Sequence, residues 1–523
     1  MRRRFLGGVH PASYKESTRR KPIMPLEESP KQVAIPLTMC TGGGAVPVVQ
    51  PGDKVTVGQV IAKPEEGGVY VHSSVSGRVR AIEPRPHPWG GRWDAIVIDN
   101  DGQDTPCPDL PEPMDWSRMD RAQVLERICQ AGITSMGGGA SPTHLRIARS
   151  VGRVDTLIVS AAECEPYLTA DHRLLLEHGD QVLQSVQMLS QLLRADRAVL
   201  VVAGDKLNAV EFLERRLRRK RRSVELVTIE TRYPLGMEKQ LVRTITGREV
   251  PPGQSAVDVK CAVFNVATAY MVRAALLEGQ PVTHRAVTVS GGAVARPRNL
   301  WVPIGTPLRC LLESAGGLKE EPAIILTGGP MTGTVQTDLE APVVKNTNAL
   351  LCLTKQEHGG ADQPETVCVR CGHCVSSCPM NLNPAFVYRA VRMGETDRLL
   401  RDQGPPLHVW RLLQLYLPVP YPPGGSGAAG TDHFGGRRET GMNGPTIHRT
   451  SPQIAQPATI SSTMLDVIIA LIPALAMAVF LFGIRVLALT AVSVGTCVLA
   501  EYGGDRAIPS ATCPPASPAC CWL

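Results

Sequence analysis

Ser135-Met136-Gly137-Gly138-Gly139-Ala140-Ser141-Pro142-Thr143-His144 is a glycine-rich loop running into a helix, and the apolar run Thr156-Leu157-Ile158-Val159-Ser160 follows it. Consecutive residues without side chains leave backbone N–H groups bare, so such a loop can cradle a phosphate. A second short apolar run, Ala198-Val199-Leu200-Val201-Val202-Ala203-Gly204, reads like the first as a strand buried on both faces. Helical stretches from Asp180 to Arg194 and from Leu207 to Arg219 lie between and after the two runs. This alternation, from Asp120 to about Gly279, predicts a parallel sheet with helices on both faces, an α/β domain at 118–283. Cofactors sit in loops at strand ends of such sheets. Two loops qualify here: Ala162-Glu163-Cys164-Glu165-Pro166 and Phe264-Asn265-Val266-Ala267-Thr268-Ala269.

Outward from this domain the patterning changes. Val49 to Val55 and Gly58 to Ile61 alternate with period two, and Val71-His72-Ser73-Ser74-Val75-Ser76-Gly77-Arg78-Val79 follows with a tight turn expected at Gly77. These segments predict a lipoyl-like hybrid barrel within residues 1–110. It presents no lysine at a hairpin tip, so its role reads as structural. A strand-rich module at 284–330 opens with Val287-Thr288-Val289-Ser290-Gly291 and contains a short helix near Leu308 to Ser314. The basic block Arg215 to Arg222 ends a helix, where the macrodipole favours cations; it reads as a solvated helix end before a docking patch for an acidic partner.

Residues 360–395 carry Cys368-Val-Arg-Cys371-Gly-His-Cys374-Val-Ser-Ser-Cys378-Pro379. The spacing C-x2-C-x2-C-x3-C-P is that of bacterial [4Fe–4S] ferredoxins. Zinc sites favour separated Cys pairs or Cys/His pairs, and a disulfide framework belongs to small secreted chains. Iron–sulfur chemistry, and hence electron transfer, is the stronger reading. The other cysteines, such as Cys40, Cys129 and Cys261, are solitary, which points to a reducing compartment. A net charge of +7 over 523 residues indicates no nucleic-acid partner. Residues 396–462 are a Pro/Gly/Ser-rich linker. Two apolar runs in 463–503, Val467 to Gly483 and Val486 to Ala500, predict a transmembrane hairpin, each being slightly short of the ~20 residues that span a bilayer. Arg437-Arg438 and His448-Arg449 before the first run favour a cytoplasmic entry, with a buried hairpin in a soluble core the competing reading.

The order of these features resembles RnfC, a component of the Rnf electron-transport complex, over residues 5 to 395. The resemblance rests on Gly137-Gly138, Glu163-Cys164-Glu165-Pro166, Asn265-Val266-x-Thr268-Ala269 and the cysteine run. Gly7-Gly8-Val9-His10-Pro11, Val71 to Gly77, Glu238-Lys239-Gln240-Leu241 and Gly247 to Gly253 match as well. That family is similar to the NADH- and FMN-binding flavoprotein subunit of respiratory complex I. The resemblance implies a noncovalent FMN, NADH as substrate, a ligand-binding β-grasp (SLBB) module at 284–330 and two [4Fe–4S] clusters. Gly137, Gly138 and Gly139 would contact the phosphate, with Glu163 and Glu165 near the flavin and nicotinamide. Arg146 stands where a lysine is usual; Asn265, Thr268 and Lys239 would contact the phosphate or ribityl chain. Cys368, Cys371, Cys374 and Cys378 would be the metal ligands. The implied partners are the membrane subunits of the complex, ferredoxin and NAD(H), at the cytoplasmic face of a bacterial inner membrane.

Departures from the family pattern carry their own expectations. The family loop reads G-x-G-G-A-G-F-P-T, whereas Ser135 replaces the first Gly, Gly139-Ala140 replaces Ala-Gly, and Ser141 replaces Phe. Ala140 is the costliest change if its backbone needs a positive φ. Ser160 replaces an Asn that helps hold the flavin. The family's second cysteine run is missing; Val409 to Pro422 occupies its place. Codons for that segment can be chosen whose next frame spells Cys-Gly-Gly-Cys-Ser-Ser-Tyr-Ile-Cys-Pro, which predicts a frameshift near residue 401. Met464-Leu465-Asp466-Val467-Ile468-Ile469-Ala470-Leu471-Ile472-Pro473 resembles the start of RnfD, a membrane component of the same complex, with Met442 as its original start. The chain then reads as RnfC joined to a truncated RnfD. Two rival functions stay open: a soluble flavin/Fe–S reductase such as a cobalamin reductase, and a flavin-less Fe–S relay or nonfunctional product.

Overall fold

The computed structural model describes residues 7–358 except 114, 117, 221, 222 and 252, residues 368–393 except 381, and scattered positions between 477 and 496. The chain divides into two units, residues 1–366 with 372–455, and residues 367–371 with 456–523. The predicted linker 396–462, with the inferred frameshift, and most of the predicted hairpin 463–503 lie outside the described residues. Among the described residues no helix is long and apolar enough to cross a membrane.

After an N-terminal strand β1 (Ile23–Pro25), the first unit builds a barrel-sandwich from two antiparallel sheets. One is ordered β2 (Gln32–Pro36), β8 (Arg92–Asn100), β7 (Gly77–Pro86), β4 (Lys54–Val55). The other is ordered β3 (Ala45–Pro47), β5 (Val60–Pro64), β6 (Val71–His72). Val33, Ile35, Val79, Ile96 and Ile98 alternate inward and are almost fully buried, as period two requires. Gly77 is not a turn. It opens β7 opposite Asn100, and at its φ of +153° a Cβ would drive into the Asp99 carbonyl. Close approach of two backbones, rather than chain reversal, is what requires glycine there.

The α/β domain opens with α1 (Arg121–Gln130), which Asp120 and Gln123 start with a capping box. Its parallel sheet is ordered β11 (Glu225–Ile229), β10 (Arg197–Ala203), β9 (Thr156–Ala161), β12 (Cys261–Asn265). Leu157, Val159, Leu200 and Val202 pack with α4 (Gly179–Leu193) and α7 (Val266–Leu277) on one face. Ile158, Val199 and Val201 pack with α6 (Glu238–Thr246) on the other. Also on this path are α3 (Ala170–Glu177) and α5 (Leu207–Lys220). At the end of α5, Arg216 lies 4.9 Å over the Phe212 ring and pairs with Asp180 at 2.7 Å, in keeping with a helix end satisfied within the domain.

Strands within 284–330 pair in one sheet with strands outside those bounds. This six-stranded sheet runs β1, β14 (Arg298–Pro303), β13 (His284–Ser290), β17 (Ala349–Leu353), β15 (Ile324–Thr327), β16 (Thr334–Val335). Fully buried β17 lies between β13 and β15, parallel to the first and antiparallel to the second, so the sheet cannot close without it. The N-terminal β1 covers the opposite edge, beside β14. Edge pairing of this kind is invisible to local patterning, because a three-residue strand has no periodicity to read.

Candidate active site

The strand ends of the α/β sheet, the glycine loop and two neighbouring modules enclose a cavity of about 730 Å³. That lies inside the range of small-molecule sites, about 300–1,000 Å³. The glycine loop leads into α2 (Thr143–Ser150) and is clamped from below: Met136 N–H donates to Thr268 Oγ1 at 2.9 Å, and buried Arg285 donates to Met136 O at 2.8 Å. Gly137 is pressed on Asn265, where a Cβ would stand 3.0 Å from Asn265 Cβ. Around Gly138 a Cβ would meet nothing within 4 Å, and at Gly139 only Ser135 Oγ at 4.0 Å, so this stretch faces open space. The N–H groups of Gly137, Gly138 and Gly139 reach no protein acceptor among the described residues. Bare donors on an open loop are what an anionic group needs.

Ala140 is buried with φ +47°, a left-handed conformation that costs an L-residue energy. The loop therefore keeps its glycine-like backbone although glycine is absent at this position. Thr41 N–H donates to Ala140 O at 3.1 Å, and Ala140 N–H donates to Ser135 O at 3.1 Å, which hold it there.

Glu163 follows β9 with φ +40° and carries its carboxylate to the start of α3. It accepts Asp171 N–H at 2.8 Å and His172 N–H at 3.4 Å, meeting two of the orphan donors of that helix end. Behind it lies a buried ionic group. Lys15 donates to Glu163 O at 2.6 Å and to Asp205 Oδ2 at 3.1 Å; Lys206 donates to Ala162 O at 2.9 Å and to Asp205 Oδ1 at 3.0 Å. Burial alone would raise Asp205, but Lys206 and Lys15 outweigh it and hold the carboxyl at about 2. Lys15 is pushed below the ordinary lysine range by burial and then by Lys206.

Glu165 turns the other way and fastens the adjoining module. Its carboxylate accepts Met331 N–H at 2.9 Å, Thr332 N–H at 3.2 Å and the Thr332 hydroxyl. Asn265 caps α7 by accepting Ala267 N–H at 2.9 Å, and its Nδ2 donates to Asp171 Oδ2 at 2.7 Å. Burial first and the Glu163 charge second raise Asp171 well above the usual carboxylate range. Arg146 donates to Glu238 Oε2 at 2.7 Å and Val263 O at 2.8 Å, while Lys239 donates to Pro251 O at 3.3 Å.

Of the residues singled out in the sequence, Gly137, Gly138, Gly139, Arg146, Glu163, Glu165, Lys239 and Asn265 all line this one cavity. Thr268 is buried and does not; it holds the glycine loop from behind. Asp171, Asn346 and Trp89 line the cavity without having been predicted. Asp171 reads in sequence as an ordinary acid in a first helical turn, and Asn346 and Trp89 come from other modules, so no local pattern marks them. Asn346 Nδ2 donates to Gly138 O at 3.2 Å, while its Oδ1 is buried with no hydrogen-bond partner among the described residues and so can accept from a ligand donor.

The cysteine run ends at the same cavity. Cys378 is buried, Pro379 and Met380 line the wall, and Gln240 Nε2 lies 3.0 Å from Met380 Sδ. Gly8 N–H donates to Ser377 O at 2.8 Å, tying the N-terminus to this turn. Cys374, within the short helix α8 (His373–Ser376), is half-buried, and in the second unit Cys368 and Cys371 are exposed. Among the described residues no three His, Cys, Asp or Glu side chains stand together as a metal site.

Comparison with known proteins joins these parts. The Nuo51 FMN-binding domain family matches residues 128–274, the RnfC barrel sandwich hybrid domain residues 3–103, and the SLBB domain residues 286–335. The RnfC-type component of the proton-translocating ferredoxin:NAD(+) oxidoreductase complex of Clostridium ljungdahlii is 39% identical over 74% of this chain and 84% of its own length. The chain belongs to the RnfC family. The corresponding component of the Na(+)-translocating complex of Acetobacterium woodii is 36% identical over 73% of this chain and 85% of its own length. A longer family member, from Cronobacter sakazakii, is 36% identical but matched over 49% of its length. A chain of an NAD+-reducing [NiFe]-hydrogenase aligns over 54% of each molecule with a TM-score of 0.40 and 19% identity, too slight a likeness to build on. Residues 447–512 match the NQR2, RnfD, RnfE family, so the chain carries sequence of a second kind after its RnfC portion.

Proposed function

We propose that this chain is the flavin-bearing electron-transfer subunit of an ion-translocating complex that exchanges electrons between ferredoxin and NAD(H). The observation that carries this reading is the cavity itself: glycine-loop donors without acceptors among the described residues, facing a wall of strand-end residues, inside a domain of the FMN-binding family. FMN, when bound, supplies exchange between two-electron hydride transfer and single-electron transfer. The residues present fit its polar groups. Gly137, Gly138 and Gly139 would hold the phosphate through their N–H groups, and Lys239 lines the same cavity. Asn346 Oδ1 would accept a hydrogen bond from the ligand, and Ser160 stands in the same wall. Glu163 and Glu165 are committed to backbone donors, so they shape the pocket rather than transfer protons. Asp171 is the wall carboxyl raised toward neutral pH, and it is placed to hold or release a proton.

The iron–sulfur assignment of Cys368, Cys371, Cys374 and Cys378 rests on their spacing. Residues 463–503, within the stretch that matches the membrane-subunit family, are read as a fragment of RnfD. They would place the body at the cytoplasmic face of a bacterial inner membrane beside its partner subunits. The test uses the full chain purified in detergent without oxygen. Acid release should yield about one FMN per chain, NADH should reduce an artificial acceptor, and iron and acid-labile sulfide should copurify at about four each for one cluster. A chain that takes up no FMN on reconstitution, with near-native circular dichroism, overturns the flavin reading.

A further inference from the structure

The β7–β8 hairpin of the barrel module leaves its own domain and enters the cavity wall. Pro88 and Trp89 at its tip line the cavity with the glycine loop and the strand-end residues. The tip is rigid for identifiable reasons. His87 stacks on Trp93 with ring centres 4.4 Å apart at 15°, and Trp89 meets Trp93 edge-on at 5.9 Å and 86°. Trp93 Nε1 donates to Gly90 O at 2.9 Å, and Trp89 N–H donates to His87 Nδ1 at 3.1 Å. Burial lowers His87 to about 4, so the cluster is uncharged at neutral pH. From the other side, Gln336 Nε2 donates to Pro88 O at 2.9 Å and fixes the tip against the six-stranded sheet.

A half-buried indole on a braced hairpin is a costly way to fill a wall unless a partner covers it. Tryptophan combines a large apolar face with few rotatable bonds, so a pre-positioned one gains contact area at little entropic cost. We propose that Trp89 is a stacking residue for a planar heteroaromatic ring of a bound nucleotide, contributed to the flavin domain by the barrel module. The barrel thereby becomes part of the binding site rather than a spacer. The ring has two sources in the same cavity: the isoalloxazine of a resident flavin, or a base or nicotinamide of the incoming dinucleotide. This inference rests on the flavin-oxidoreductase reading above.

The test compares wild type with Trp89→Leu, Trp89→Ala and Trp89→Phe. Flavin dissociation is followed by fluorescence, and NADH-dependent acceptor reduction gives KM and kcat. Loss of one base–aromatic stack, about 1–3 kcal/mol, corresponds to roughly a 5- to 150-fold weaker affinity. Trp89→Leu and Trp89→Ala should show it, and Trp89→Phe should recover most of it. If the flavin dissociation constant rises, the isoalloxazine is the ring; if KM for NADH rises at unchanged kcat and flavin affinity, the dinucleotide is. Both support the proposal. Thermal unfolding of each variant separates stacking from a role in folding, since leucine keeps an apolar side chain but no π-face. Wild-type values for both ligands in Trp89→Leu overturn the stacking role, while a wild type that binds neither overturns the flavin reading instead.

Discussion

At the residue scale, two positions put numbers on the site. Ala140 holds a left-handed backbone where the family pattern has glycine, and the sequence anticipated the conflict from the missing glycine alone. Left-handed backbone costs an alanine about 1–2 kcal/mol. Glycine removes that cost but loses about 0.4–1 kcal/mol through a freer unfolded chain. Relief of strain wins, so Ala140→Gly should stabilise the protein by roughly 0.5–1 kcal/mol. An unchanged or lower urea midpoint would show that the loop relaxes around alanine at no cost. Asp205 works in the opposite sense. Its carboxyl, held at about 2 between Lys206 and Lys15, contributes stability that is complete above the unfolded value of about 3.9 and is lost as pH falls toward 2. Asp205→Asn leaves two buried lysines without their shared carboxylate, and should cost roughly 3 kcal/mol at pH 7. The gap between wild-type and variant urea midpoints should narrow between pH 4 and pH 3. A constant gap across that range would mean that Asp205 acts by packing and not by charge.

At the element scale, legibility followed the length of the pattern. Strands β9 and β10 of the α/β sheet and the helices α4 and α5 were readable because each presents several turns or a continuous apolar run to a core. Gly77 was readable as special but not for the right reason, because glycine marks both a turn and a close backbone approach. β17 was missed: Ala349-Leu350-Leu351-Cys352-Leu353 is apolar throughout, and only its partners β13 and β15 show that it completes a sheet. The site residues divide in the same way. Glu163, Glu165 and Asn265 stand in strand-end loops, where general rules of α/β sheets place function. Thr268 lies on α7, one helical turn beyond such a loop, and its hydroxyl serves the loop rather than the cavity. Asp171 stands at a helix start whose other function, complementing the macrodipole, hides its place in the wall.

At the scale of the whole first unit, the cavity is a junction of modules, and its integrity depends on bonds that cross between them. Glu165 is the clearest: one carboxylate of the α/β domain holds Met331 and Thr332 of the neighbouring module, and Gly329 admits it because any side chain there would collide with it. Glu165→Ala removes a charged acceptor from two backbone donors at the cavity rim, a loss of about 1–3 kcal/mol. That energy belongs to the loop between β15 and β16, not to either core. Amide exchange should therefore rise by roughly 5- to 150-fold in the 328–333 segment, while peptides from β9 to β12 keep wild-type protection. Gly333 N–H still donates to Gly329 O at 2.7 Å, so the turn keeps an internal bond on which to survive. If exchange in 328–333 is unchanged, that turn is self-sufficient and the modules are joined by their apolar contacts. If protection falls across β9 to β12 as well, Glu165 is a fold residue of the α/β domain. The outcome between these, local loosening with flavin affinity reduced in step, is the one a shared wall demands.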